Sequence, residues 1–135
     1  AWNSDAGGLV RTLCFHPKTL IKLQNGLISP MQDIMLGDIL EDGGEVIGTL
    51  RLKGNVPYYK IWSKVLNNFI YVTGTHLIKE PKSGKFIPVE KMENAEITKE
   101  TTPIMSCLIT TNHKIPIGEY TFWDWEDDEE NLRNF

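Results

Sequence analysis

Turn signals divide this chain into pieces too short for anything but strands. Asn25-Gly26, Asp42-Gly43-Gly44 and the stretch from Pro81 to Gly84 separate short segments rich in Leu, Ile, Val, Thr, Tyr and Phe, and few windows hold apolar residues at helical spacing. The pattern is all-β. Residues 19–23 alternate and run into Asn25-Gly26, the strongest two-residue hairpin signal, with Leu27 and Ile28 returning. Residues 31–36 read as a short helical turn, because Met31, Ile34 and Met35 share helical spacing; Gly37-Asp38 and the short strand Ile39-Leu40 follow. Further strands are expected at 45–52, 57–63 and 68–73, with 64–67 as a loop. Residues 79–85 form a hairpin turn ahead of a strand at 86–89, and 91–95 is a second short helical piece. The last strands fall at 104–110 and 115–122, with Asn112 in the turn and Pro116 at a sheet edge, where its missing N–H does no harm.

At 135 residues the chain has the length of one domain with its own core. Apolar residues make up 41% and charged ones 24%, and no apolar run approaches a membrane span, so the composition reads as soluble, with no membrane partner. The net charge of −4 and scattered Lys and Arg argue against a nucleic-acid surface, which needs clustered cations. Acid is clustered instead, in Asp124, Glu126, Asp127, Asp128, Glu129 and Glu130, and reads as a solvated tail. Asn3, Ser4, Asp5, Gly7 and Gly8 make residues 1–13 an extended leader. It lacks the basic start and apolar run of a signal peptide, and with no initial Met the chain reads as a fragment or processed piece. Two cysteines, Cys14 and Cys107, form neither a secreted disulfide framework nor a C-x-x-C site, so a reducing compartment is the default and no cofactor is expected.

Cys14 can act on the peptide bond before it, because its sulfur reaches the preceding carbonyl through a five-membered ring and yields a thioester. A free thiol is a few per cent ionised at neutral pH, so the amide needs help to leave. One group must hold or polarise the amide and another must give a proton to the departing amine, a role suited to His. Thr73-Gly74-Thr75-His76 offers a hydroxyl and an imidazole that converge if the strand ends at Thr73 and turns at Gly74. Read singly, Cys14 is a small buried hydrophobe and Thr73 and His76 a hydrogen-bonded turn.

Together, the segments CFHPKTLIKLQNG, MQDIMLGDIL and VTGTHLI resemble, in order and spacing, the Hint domains of inteins, bacterial intein-like proteins and hedgehog proteins. The resemblance implies a Hint fold, a curved assembly of β-hairpins with pseudo-two-fold symmetry and adjacent termini. It implies a domain at 14–124 between flanks 1–13 and 125–135, and a self-processing activity. Cys14 would be the nucleophile, Leu13-Cys14 the scissile bond, and Thr73 and His76 the groups on its amide; Asp33, Gly37 and Asp38 would be structural.

Ser106-Cys107-Leu108 resembles a late intein block, and His113 falls where that block carries a histidine. Cys107 is thus either a second site residue or a core cysteine, and His113 either a site residue or an exposed turn. Splicing inteins end in His-Asn before Cys, Ser or Thr, whereas the corresponding place here is Trp123-Asp124-Trp125. Asp lacks the amide nitrogen that cyclises, so ordinary splicing is disabled and N-terminal cleavage remains. Its thioester would be resolved by water or by an external thiol, amine or alcohol, the partner being the chain's own N-terminal flank, in a monomer. Asp124 could contribute a carboxylate, and an atypical splicing element using it stays open. So does an inactive binding module, and so does a metal site from Cys14, His16, Cys107 and His113, although no spacing predicts one. A Cys14–Cys107 disulfide would block the nucleophile.

Overall fold

The computed structural model describes residues 13–126. The leader up to Thr12 and the acids from Asp127 onward lie outside the described residues, and with them most of both flanks.

Eleven strands are described, in chain order β1 (Leu20–Lys22), β2 (Ile28–Pro30), β3 (Val46–Lys53), β4 (Tyr58–Ser63), β5 (Asn68–Thr73), β6 (Leu77–Lys79), β7 (Phe86–Pro88), β8 (Glu96–Ile97), β9 (Ile104–Thr110), β10 (Lys114–Ile117) and β11 (Tyr120–Trp123). Two single turns of 3-10 helix, Met31–Asp33 and Val89–Lys91, are the helical content of the described residues. The first falls where the sequence predicts a helical turn. The second precedes the helical piece expected at 91–95, which is instead a turn closed by Ala95 N–H donating to Met92 O.

A hairpin forms at Asn25-Gly26 and pairs β1 with β2, but not as the two-residue loop expected: Gly26 N–H closes a turn on Leu23 O, and only Gly26, at φ +95°, is left-handed. Residues 115–122, expected as one segment, are two strands. Gly118, at φ +60°, breaks them into the β10–β11 hairpin. Pro116 does sit on an edge, because the sheet order is β10-β11-β6-β7 and β10 is outermost.

The remaining strands form β3-β9 and β5-β4-β8, both antiparallel. Phe15 bridges the two: it pairs with Val72 of β5 on one side and Ser106 of β9 on the other. Cys14 to His16 is therefore a short central strand on which two halves of a sheet meet. Its alternation sends Phe15 to one face, where its ring lies 4.6 Å from that of His76 and 5.1 Å from that of Phe122, and sends Cys14 and His16 to the other. Phe15, Tyr58, Phe122 and a set of Ile, Leu and Val side chains are fully buried around this junction. Each such side chain contributes roughly 1.5–3 kcal/mol of burial, and the Cys14–His16 segment threads through this core.

Candidate active site

An antiparallel ladder between residues 14–16 and β5 would have Cys14 and Thr73 exchange two backbone bonds. One is present: Thr73 N–H donates to Cys14 O at 2.9 Å. The other is replaced. The carbonyl of Thr73 instead accepts the His76 N–H at 3.2 Å, closing the Thr73-Gly74-Thr75-His76 turn. The Cys14 N–H goes to the Thr73 hydroxyl at 3.1 Å. This N–H belongs to the Leu13-Cys14 amide, so the turn that ends β5 hands this peptide from a carbonyl to a side chain. Gly74 permits it by close packing: a Cβ there would lie 2.6 Å from the Tyr59 ring.

The same turn delivers His76 to the interior, fully buried. Its Nε2 lies 2.7 Å from the Trp123 carbonyl oxygen, which can only accept, so Nε2 carries the proton. In the neutral ring Nδ1 is then the basic nitrogen. Trp123 ends β11, and β11 pairs with β6 immediately after His76, so the C-terminal strand fixes the imidazole.

Cys14 is buried, and desolvation pushes its thiol up to about 12. Cys107, equally buried, is pushed well above the ordinary thiol range by desolvation first, then by the nearby Cys14 sulfur, with a smaller contribution from Asp124; a backbone hydrogen bond from Leu108 works the other way. Tyr58 is raised to about 12 by burial, with further contributions from the charges of Cys14 and Glu100. Cys14, Cys107 and Tyr58 thus share one low-dielectric neighbourhood.

His113 and Asp124 form a pair nearby. Asp124 is fully buried: its Oδ2 accepts from Thr110 N–H at 3.0 Å and from His113 Nδ1 at 3.1 Å, and its Oδ1 from Glu126 N–H at 2.8 Å. Asp124 N–H donates to His113 O and Trp125 N–H to Leu108 O, which lays the C-terminal segment along β9. Because Phe15 pairs with Ser106 of the same strand, both ends of the domain lie side by side on β9, as the resemblance implies.

The geometry brings the Thr73 hydroxyl to the Leu13-Cys14 amide and turns His76 into the core against Phe15 and Trp123, while His113 and Asp124 bind one another. It does not assemble the metal set. No three His, Cys, Asp or Glu side chains among the described residues could hold a metal; His16 instead lies 3.4 Å from Glu100 through Nε2 and accepts Lys18 N–H at Nδ1. The sequence reading passed over Tyr58, Phe15 as the bridge and the Trp123 carbonyl. A backbone acceptor leaves no trace in sequence.

No protein-family model and no curated protein matches the chain. Solved structures do. The chain is similar to the MchDnaB-1 intein over 82% of its own length and 99% of that chain, at 17% identity and TM-score 0.63. It is similar to a bacterial intein-like domain from Clostridium thermocellum over 84% and 100%, at 14% and 0.63. A DnaB intein from Synechocystis sp. PCC 6803 matches over 82% and 97%, at 13% and 0.59. This chain has the Hint fold. In this chain the bridging strand at Cys14 meets the Thr73–His76 turn, and that turn meets the C-terminal strand β11.

Proposed function

We propose that this Hint domain cuts its own chain at Leu13-Cys14. The Cys14 sulfur attacks the Leu13 carbonyl carbon, the C–N bond breaks, and the acyl group passes to sulfur as a thioester while the thiol proton is taken up, in net, by the departing amine. His76 serves the amine through Nδ1, the basic nitrogen, which first takes up a proton, in net that of the thiol, and then gives it to the departing amine. Thr73 holds the amide N–H. Water or an external thiol, amine or alcohol then resolves the thioester and releases the N-terminal segment.

The observation that carries this reading is the Thr73 hydroxyl standing where a ladder carbonyl belongs, at the one peptide bond a following cysteine can reach. The Cys14 thiol, held protonated by burial, must give up its proton inside the closed site as it attacks. The splicing alternative through Asp124 lacks a side-chain amide, and both carboxylate oxygens are already engaged.

Intact mass spectrometry of the full chain, incubated near neutral pH with and without a small thiol, tests the reading. Release of a peptide ending at Leu13, faster with thiol and abolished by Cys14→Ala, is expected. A chain that stays whole in both conditions refutes it and favours an inactive binding module.

A further inference from the structure

We propose that Cys14 and Cys107 are the two halves of a reversible disulfide, a modification site that takes the candidate nucleophile out of use. Its effect on activity rests on the self-processing reading above; its chemistry does not.

The register is the argument. Phe15 and Ser106 exchange both backbone hydrogen bonds, Phe15 N–H to Ser106 O at 2.8 Å and Ser106 N–H to Phe15 O at 2.9 Å. They are a hydrogen-bonded antiparallel pair, and this register, carried one position along, would set Cys14 opposite Cys107 as a non-hydrogen-bonded pair. Such pairs hold their Cα atoms about 4.5 Å apart with both side chains on one face, inside the roughly 4.4–6.8 Å that a disulfide spans. Both thiols are free and both are buried. Phe15 and the His76 and Phe122 rings occupy the opposite face, so nothing aromatic from that cluster separates the sulfurs.

The oxidant is a small-molecule disulfide. One cysteine thiolate attacks it, forming a mixed disulfide and expelling one small thiolate. The second cysteine then attacks the protein sulfur of that adduct, forming the Cys14–Cys107 bond and expelling the other. Two electrons and two thiol protons leave the protein and one disulfide becomes two thiols. With both cysteines buried and raised, the first exchange is slow at neutral pH and quickens in alkali, while the closed bond is shielded from bulky reductants.

The test is equilibration of the full chain in cystamine/cysteamine buffers of graded ratio at mildly alkaline pH, followed by acid quench, intact mass and peptide mapping. Oxidising buffer is expected to give a chain lighter by two hydrogens, with residues 14 and 107 in one linked peptide. Cys107→Ala should give no internal link. A chain that keeps two alkylatable thiols, carries cysteamine adducts at equilibrium, or links to a second copy overturns the proposal. Oxidised protein should release no N-terminal peptide until a phosphine reductant restores it. Release that proceeds with the link intact overturns the switch. A linked chain that stays whole after reduction refutes the self-processing reading and leaves the disulfide standing.

Discussion

Replacing Thr73 by Val removes one atom's worth of chemistry and little volume. Thr73 is buried, and its hydroxyl accepts the Cys14 N–H at 3.1 Å while its own carbonyl is committed to His76. Val has no acceptor, so the Leu13-Cys14 N–H is left buried and unpaired there, a cost of about 1–3 kcal/mol. The same bond strengthens as the amide nitrogen becomes an amine and gains a proton, because charge-assisted hydrogen bonds are about twice as strong as neutral ones. Loss of 1–3 kcal/mol from the transition state slows release roughly 5- to 150-fold. Single-turnover release of the 1–13 peptide, followed by intact mass with excess thiol at a temperature where both proteins stay folded, measures it. Thr73→Ser, which keeps the oxygen, should recover most of the rate. If Val releases at the wild-type rate, or Ser is as slow as Val, the hydroxyl is not what serves the amide.

Alkali should destabilise the fold through Cys14. A thiol raised from 9.0 to about 12 in the folded protein keeps its full contribution below pH 9 and loses it progressively toward pH 12. Between pH 8 and 10.5 this amounts to roughly 2 kcal/mol, from 1.36 kcal/mol per pH unit. Urea melts at the two pH values should show Cys14→Ala losing that much less than wild type; an equal loss would refute the assignment. Asp124→Ala leaves the buried Thr110 N–H unpaired and frees the C-terminal segment from His113, so a loss of about 2–4 kcal/mol in urea is expected. An effect below half a kcal/mol would make the residue dispensable. Gly118→Ala combines a left-handed φ of +60° with a Cβ 2.3 Å from Ser63 Oγ, and should lower stability by about 2 kcal/mol or more. A neutral result would show that the β10–β11 turn can relax.

Where chemistry is local, the sequence spoke clearly. Asn25-Gly26 marked a hairpin because the glycine takes the left-handed φ that closes the turn, and Pro116 an edge because it lacks a donor. Gly118-Glu119 carries the same sort of signal, a glycine leading a two-residue turn, and the apolar alternation changes phase across it, from Ile115 and Ile117 to Tyr120 and Phe122. Cys14, Thr73 and His76 were legible as a set through their motif. Their contacts were not: which acceptor takes the Cys14 N–H depends on where the ladder ends, and the opposition of Cys14 and Cys107 depends on a pairing between distant segments that no local pattern encodes. Short strands such as β6 and β8 exist because partners cover them, so their own residues announce little.

Phe15, pinned on both flanks, sets the fate of the new end once the bond before Cys14 is cut. On the proposed chemistry the freed amine and the thioester sulfur belong to the same residue, Cys14, and the sheet contacts of Phe15 and of the Cys14 carbonyl hold that residue in place. Return to the amide is then a short intramolecular step, always available. The yield of release becomes a race between that recoil and the arrival of an outside nucleophile, and mutations that loosen the weave would change the outcome without touching any reacting group.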